Sequence, residues 1–187
     1  MKNIEILIKE DLGFTNTDYS KIRYVLTIIG SEISKLLIMF VIFGLLDKEK
    51  EYIFSVIVLL AIRTNSGGLH FNSYISCLIV SFVVLFLSII IFPYFIDITQ
   101  LFAIVDLFVC IVLSMILKPV RSIYRDEATT AMIKKCHEKI FVYLLIFLII
   151  FYITSVTAIT EAMFWTINLQ FFQLIIANVH QYFLNKQ

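Results

Sequence analysis

Residues 74–92 read Tyr-Ile-Ser-Cys-Leu-Ile-Val-Ser-Phe-Val-Val-Leu-Phe-Leu-Ser-Ile-Ile-Ile-Phe, a run without one charged side chain. A helix crossing ~30 Å of hydrocarbon takes about 20 mainly apolar residues, so this stretch points to a bilayer as the solvent. Working outward, comparable runs lie at 24–46, 98–117, 140–159 and 162–182. A sixth, 52–62, reaches only ~16 Å at the helical rise. It crosses only if it tilts, if the bilayer thins around it, or if the helix continues past Arg63. The expected fold is all-α, a polytopic membrane helical bundle of about six transmembrane helices.

Composition agrees. Of 187 residues, 60% are hydrophobic and 16% charged, with a mean hydropathy of +0.95. A soluble domain of this length needs more polar surface than that to cover its exterior. A net charge of +1 excludes nucleic acid as a partner, because phosphate binding needs a surplus of Lys and Arg gathered on one face. Cys77, Cys110 and Cys136 are an odd, irregularly spaced set, so a disulfide framework is not expected. The start of the chain mixes Lys2, Glu5, Lys9, Glu10 and Asp11 with Ile4, Ile6, Leu7, Ile8 and Leu12, unlike a cleavable signal peptide. Segment 1–23 reads as an amphipathic piece lying on the membrane interface, and an irregular start fits equally. Residues 1–187 read as one membrane domain.

Positive charge stays on the cytoplasmic side of membrane proteins. With six spans, one side receives Lys2, Lys9, Lys21, Arg23, Arg63, Lys118, Arg121, Arg125, Lys134, Lys135, Lys139 and Lys186. The other receives only Lys48 and Lys50, diluted by Asp47, Glu49 and Glu51. Both termini are therefore expected in the cytoplasm, with 63–73 opening inward.

That segment carries the chemistry. It reads Arg63-Thr-Asn-Ser-Gly67-Gly68-Leu-His70-Phe-Asn72-Ser-Tyr-Ile-Ser-Cys77. Adjacent glycines allow a sharp reversal or the close approach of another chain segment. Asn72 or Ser73 suits the N-cap of the following helix, which places Cys77 in its first turns. There the helix dipole favours thiolate, the nucleophilic form, and a neighbouring imidazole can take the thiol proton. On one continuous helix, positions 70 and 77 would lie ~10.5 Å apart along the axis. A working pair therefore needs His70 on a loop folded back toward Cys77. Taken singly, each has a plainer reading: a turn for Gly67 and Gly68, a small buried hydrophobe for Cys77, an interfacial loop residue for His70.

Other polar positions also have two readings. Asp106 is expensive inside a span and so a functional candidate, unless it pairs with Lys35 or Asn168. Glu32 and Lys35 can neutralise each other one turn apart or line a cavity. Asn168, Gln170, Gln173 and Asn178 make the last span a packing helix. Cys136 and His137 read as surface residues of the basic connection. No HExxH pattern, GxSxG elbow or P-loop occurs, so no metal and no cofactor are expected.

Arg63, six residues, His70, six residues and Cys77, with Gly67 and Gly68 just before the histidine, resemble the accessory gene regulator protein B family of bacterial membrane cysteine endopeptidases. The resemblance extends to chain size and span layout. It implies a multi-pass protein of the bacterial plasma membrane that cuts a short membrane-associated quorum-sensing propeptide on its cytoplasmic side, with a second copy of the chain as a candidate partner. It further implies Cys77 as nucleophile, His70 as general base, and transfer of the acyl-thioester to a thiol or hydroxyl of the propeptide, closing a thiolactone or lactone. Arg63 fits either a propeptide carboxylate, the oxyanion, or a plain positive-inside anchor. A second proline, frequent in the family after Lys118-Pro119, is missing, which weakens the expectation of substrate contacts there. Asn65, Ser66, Asn72 and Ser73 all remain open as a third member. The rival class is a small non-enzymatic transporter or channel subunit built on Asp106, Glu32 and Lys35.

Overall fold

The structure is a computed structural model that describes residues 16–68, 73–120 and 129–184. The amphipathic segment proposed for 1–23 lies largely outside the described residues, as do His70, Asn72, Arg121, Arg125 and Lys186. Two compact units are distinguished, 1–42 and 43–187, each taken by itself.

Helix α1, Asn16–Leu45, runs through the first unit into the second and carries an apolar window at Val25–Leu45. Within the first unit, Lys35 forms an ion pair with Glu32 one turn earlier, which removes both charges from the apolar surroundings at once.

The second unit begins where α1 ends. Lys48 donates its N–H to the carbonyl of Phe43 at 2.9 Å, and Asp47 takes a positive φ of 54°, turning the chain into α2, Glu49–Ser66. Phe43 is fully buried and stacks on Tyr52 at 5.2 Å. With Glu49 and Glu51 in its first turn and Arg63 in its last, α2 matches its charges to the helix dipole. Its 18 residues cover about 27 Å. The short run at 52–62 is thus lengthened in both directions, past Arg63 to Ser66.

Helix α3 is Tyr74–Phe95 and contains a π-helical turn at Leu87–Ile91. Pro93 explains it: with no N–H to donate and a ring that crowds the preceding turn, a wider turn relieves the ladder, and Phe92 N–H reaches back to Leu87 O. Helix α4, Gln100–Ile116, is capped by Thr99, whose hydroxyl accepts the N–H of Phe102. Gln100 donates to the carbonyls of Phe151 and Tyr152 at 2.9 and 3.0 Å, satisfying orphan groups at the end of the next helix.

That helix, α5, spans Thr130–Ile153, which corrects the boundaries expected at 140–159. The chain breaks at 154–157 because Thr157 and Thr160 cap a new helix reciprocally: Thr160 N–H donates to Thr157 Oγ1 at 3.3 Å, and Thr157 N–H to Thr160 Oγ1 at 2.8 Å. The basic stretch 134–139 is helical too, so Cys136 and His137 lie half-buried on α5 rather than on the surface of a connection.

Helix α6, Ala158–Leu184, is the central packing element. Its apolar window is 56% buried against 22% for those of α3 and α5, as its polar residues led one to expect. Phe164, Ile167 and Phe171 meet Val58 and Ile62 of α2, Leu107 of α4 and Leu144 of α5 in one core. Thr166 donates to Ser88 Oγ at 3.1 Å across the π-helical turn. α1, α3, α5 and α6 are long and apolar enough to cross a membrane, and α4 is a shorter apolar helix. The chain is a helical membrane protein.

Candidate functional site

The turn that follows α2 meets the segment leaving α4, and the residues singled out from the sequence lie along this turn and at the start of α3. Arg63 stands in the last turn of α2. Gly67 follows as its C-cap at φ 72°, its N–H donating to Arg63 O at 2.8 Å. A Cβ at Gly67 would lie 1.6 Å from the carbonyl oxygen of Val120, so glycine is required here by both backbone angle and space. Gly68 continues at φ 155°.

Val120 is what crowds the turn. It pairs with Gly67 as an isolated parallel bridge and donates its N–H to Ser66 O at 2.9 Å. The segment Lys118-Pro119-Val120 is itself fastened to α6, with Asn178 Nδ2 donating to Lys118 O at 3.0 Å and Val120 packed on Leu174 and Ala177. From the other side, Gln170 donates from Nε2 to Gly67 O at 2.9 Å and to Ser66 Oγ at 3.3 Å. Both Gln170 and Ser66 are fully buried.

Cys77 lies in the first turn of α3, half-buried, its N–H donating to Ser73 O at 3.1 Å. Ser73 is the N-cap in an extended conformation, though its side chain makes no capping bond. None of the three cysteines is in a disulfide. Arg63, Gly67 and Gly68 are thus joined in one turn, Cys77 opens the next helix, and His70 falls outside the described residues between them.

The other candidates lie elsewhere. Asp106 accepts a hydrogen bond from Asn168 Nδ2 at 2.8 Å, which gives the half-buried carboxylate a structural partner. Among the described residues no three His, Cys, Asp or Glu side chains converge as metal ligands. A cavity of about 670 Å³ is lined by Phe54, Ile57, Phe147, Ile150 and Met163 beside Thr154–Thr157. Neither Gly67 nor Cys77 is among the residues that line it.

Gln170, Val120 and Asn178 are the members that the sequence did not assign to this place. Gln170 and Asn178 read only as polar positions on a packing helix, and nothing local announces that a residue far along the chain will cover Gly67.

The accessory gene regulator B family matches residues 2–174 of the chain. An AgrB-like protein of Clostridium beijerinckii is 28% identical over 180 residues, covering 94% of this chain and 87% of the relative. No solved structure matches. A helical membrane chain with this turn, matched over nearly its whole length, belongs to the accessory gene regulator B family.

Proposed function

We propose that this chain is a membrane-embedded cysteine endopeptidase that processes a quorum-sensing propeptide and assists its cyclisation. The observation that carries the reading is the position of Cys77 in the first turn of α3, just beyond a turn at Gly67 and Gly68 that Val120 and Gln170 hold in place. Family membership supports the substrate class.

Cys77 attacks the scissile carbonyl after passing its proton to His70. The C–N bond then breaks, His70 returns the proton to the leaving amine, and an acyl-thioester remains on Cys77. A thiol or hydroxyl of the propeptide displaces Cys77 and closes the ring, while the membrane edge keeps out the water that would hydrolyse the thioester. Arg63 serves a propeptide carboxylate or the oxyanion. We place six spans in the bilayer as one domain, both termini and the site in the cytoplasm.

The test is propeptide cleavage in membranes by Cys77→Ala, Cys77→Ser and His70→Ala chains. Each is expected to abolish cleavage with the protein still inserted, and undiminished cleavage rejects the assignment. The transporter alternative predicts that Asp106→Asn abolishes flux while thiol alkylation changes nothing.

A further inference from the structure

Within the first span, Glu32 and Lys35 cancel each other as an ion pair. Asp106 is not cancelled in this way. It stands six residues into α4, ~9 Å along the helix axis from Gln100, with Val105 and Leu107 on either side. Asn168 Nδ2 and Cys110 Sγ both approach its Oδ2, at 2.8 and 4.0 Å, so Oδ1 is left for a further donor. Neither neighbour is a cation, and among the described residues no Lys, Arg or His forms an ion pair with Asp106. An ionisable group in hydrocarbon is expensive and is retained where a partner meets it.

The half-buried side chain borders an open face of the helix. Phe102, Val105, Val109, Val112 and Ile116 follow one another at alternating spacings of three and four, and their exposures run from 44% at Val112 to 68% at Ile116. That spacing is the a/d seam of a left-handed helix pair, the commonest crossing in membranes. Asp106, next after Val105, takes the e position, where paired helices place their interhelical ion pairs. Acyl chains alone would cover the apolar seam, but they offer nothing to a carboxylate. We propose that this face of α4 docks a transmembrane helix of another protein, one that carries a lysine or arginine at the depth of Asp106 and pairs it with that carboxylate. A second copy of this chain is a poor source of the cation, because Lys35 of the Val25–Leu45 window is already held by Glu32.

The experiment uses the full chain in phosphatidylcholine vesicles and its single tryptophan, Trp165, which lies one turn before Asn168 on α6. The probe is a synthetic Leu/Ala transmembrane peptide of about 20 residues, dansylated at one end, with one lysine ~9 Å inside that end. Energy transfer from Trp165 is expected to saturate with peptide density and to exceed several-fold that of the same peptide with leucine in place of lysine. Asp106→Asn keeps an acceptor for Asn168 and should reduce transfer to the level of the leucine peptide, with an unchanged thermal midpoint. Asp106→Lys should restore transfer with a peptide carrying glutamate in place of lysine; should that chain not insert, the asparagine chain decides. Equal transfer from the lysine and leucine peptides means that lipid or a second copy covers this face, and it overturns the proposal. So does lysine-peptide transfer that persists undiminished in Asp106→Asn. The assay involves no cleavage, so its failure leaves the peptidase reading standing.

Discussion

The amide of Val120 donates to the carbonyl of Ser66 at 2.9 Å, so the last turn of α2 and the segment leaving α4 form one object. In the sequence, Lys118-Pro119-Val120 opens a basic connection whose substrate contacts are in doubt. Its backbone instead forms one wall of the turn that precedes His70.

Gly67→Ala should therefore be far more damaging than Gly68→Ala. Both glycines stand at a positive φ, but the first forces a Cβ to 1.6 Å from a backbone oxygen, whereas the second brings it to an ordinary contact with a side-chain nitrogen at 3.5 Å. The conformational term alone is about 1–2 kcal/mol, and the collision adds to it. Propeptide cleavage should drop at least about tenfold for Gly67→Ala, with a lower thermal midpoint in detergent. Equal effects at the two glycines would show that Val120 does not close on the turn.

Asp106→Asn is expected to leave cleavage within about twofold, because an amide oxygen can still accept from Asn168. Asn168→Leu strands the carboxylate and should cost about 1–3 kcal/mol in unfolding. Loss of cleavage on Asp106→Asn, in a protein that still inserts and melts normally, would add Asp106 to the groups that cleavage requires.

Thr157→Ala removes one half of the reciprocal cap on α6. It should lower stability by about 0.5–2 kcal/mol and leave kcat unchanged, since the cap lies at the far end of the bundle from Cys77. A kcat effect in a fully folded Thr157→Ala chain contradicts that separation.

Orientation can be read with an impermeant maleimide on intact cells, using otherwise cysteine-free chains carrying Asp47→Cys or Thr129→Cys. The positive-inside distribution predicts labelling at position 47 and protection at 129 until the cells are opened. The reverse pattern inverts the topology and puts the site outside.

Much of this architecture was legible from hydropathy alone, because a membrane demands continuous apolar runs and helices that satisfy their own backbone. Where the reading missed, capping and charge were responsible. The start of α5 lies among Lys134, Lys135 and Lys139, which hydropathy discounts although they suit a helix entering water. Its end lies at threonines that look apolar enough to continue. The site divided similarly. Arg63, the glycines and Cys77 stand out in the sequence because spacing along the chain carries them. Gln170 and Val120 could not, since their part depends on helices packing from opposite ends of the sequence, and a lone glutamine in an apolar helix says only that it must find a partner.

The π-helical turn at Leu87–Ile91 sets the phase of the helix that presents the thiol. One extra residue in a turn changes the azimuth of everything on its far side by about 100°. The compass bearing of Cys77 is therefore decided near Pro93, close to the opposite end of α3. Deleting a single residue between 87 and 91 would swing the sulfur toward a different neighbour without touching any group beside it.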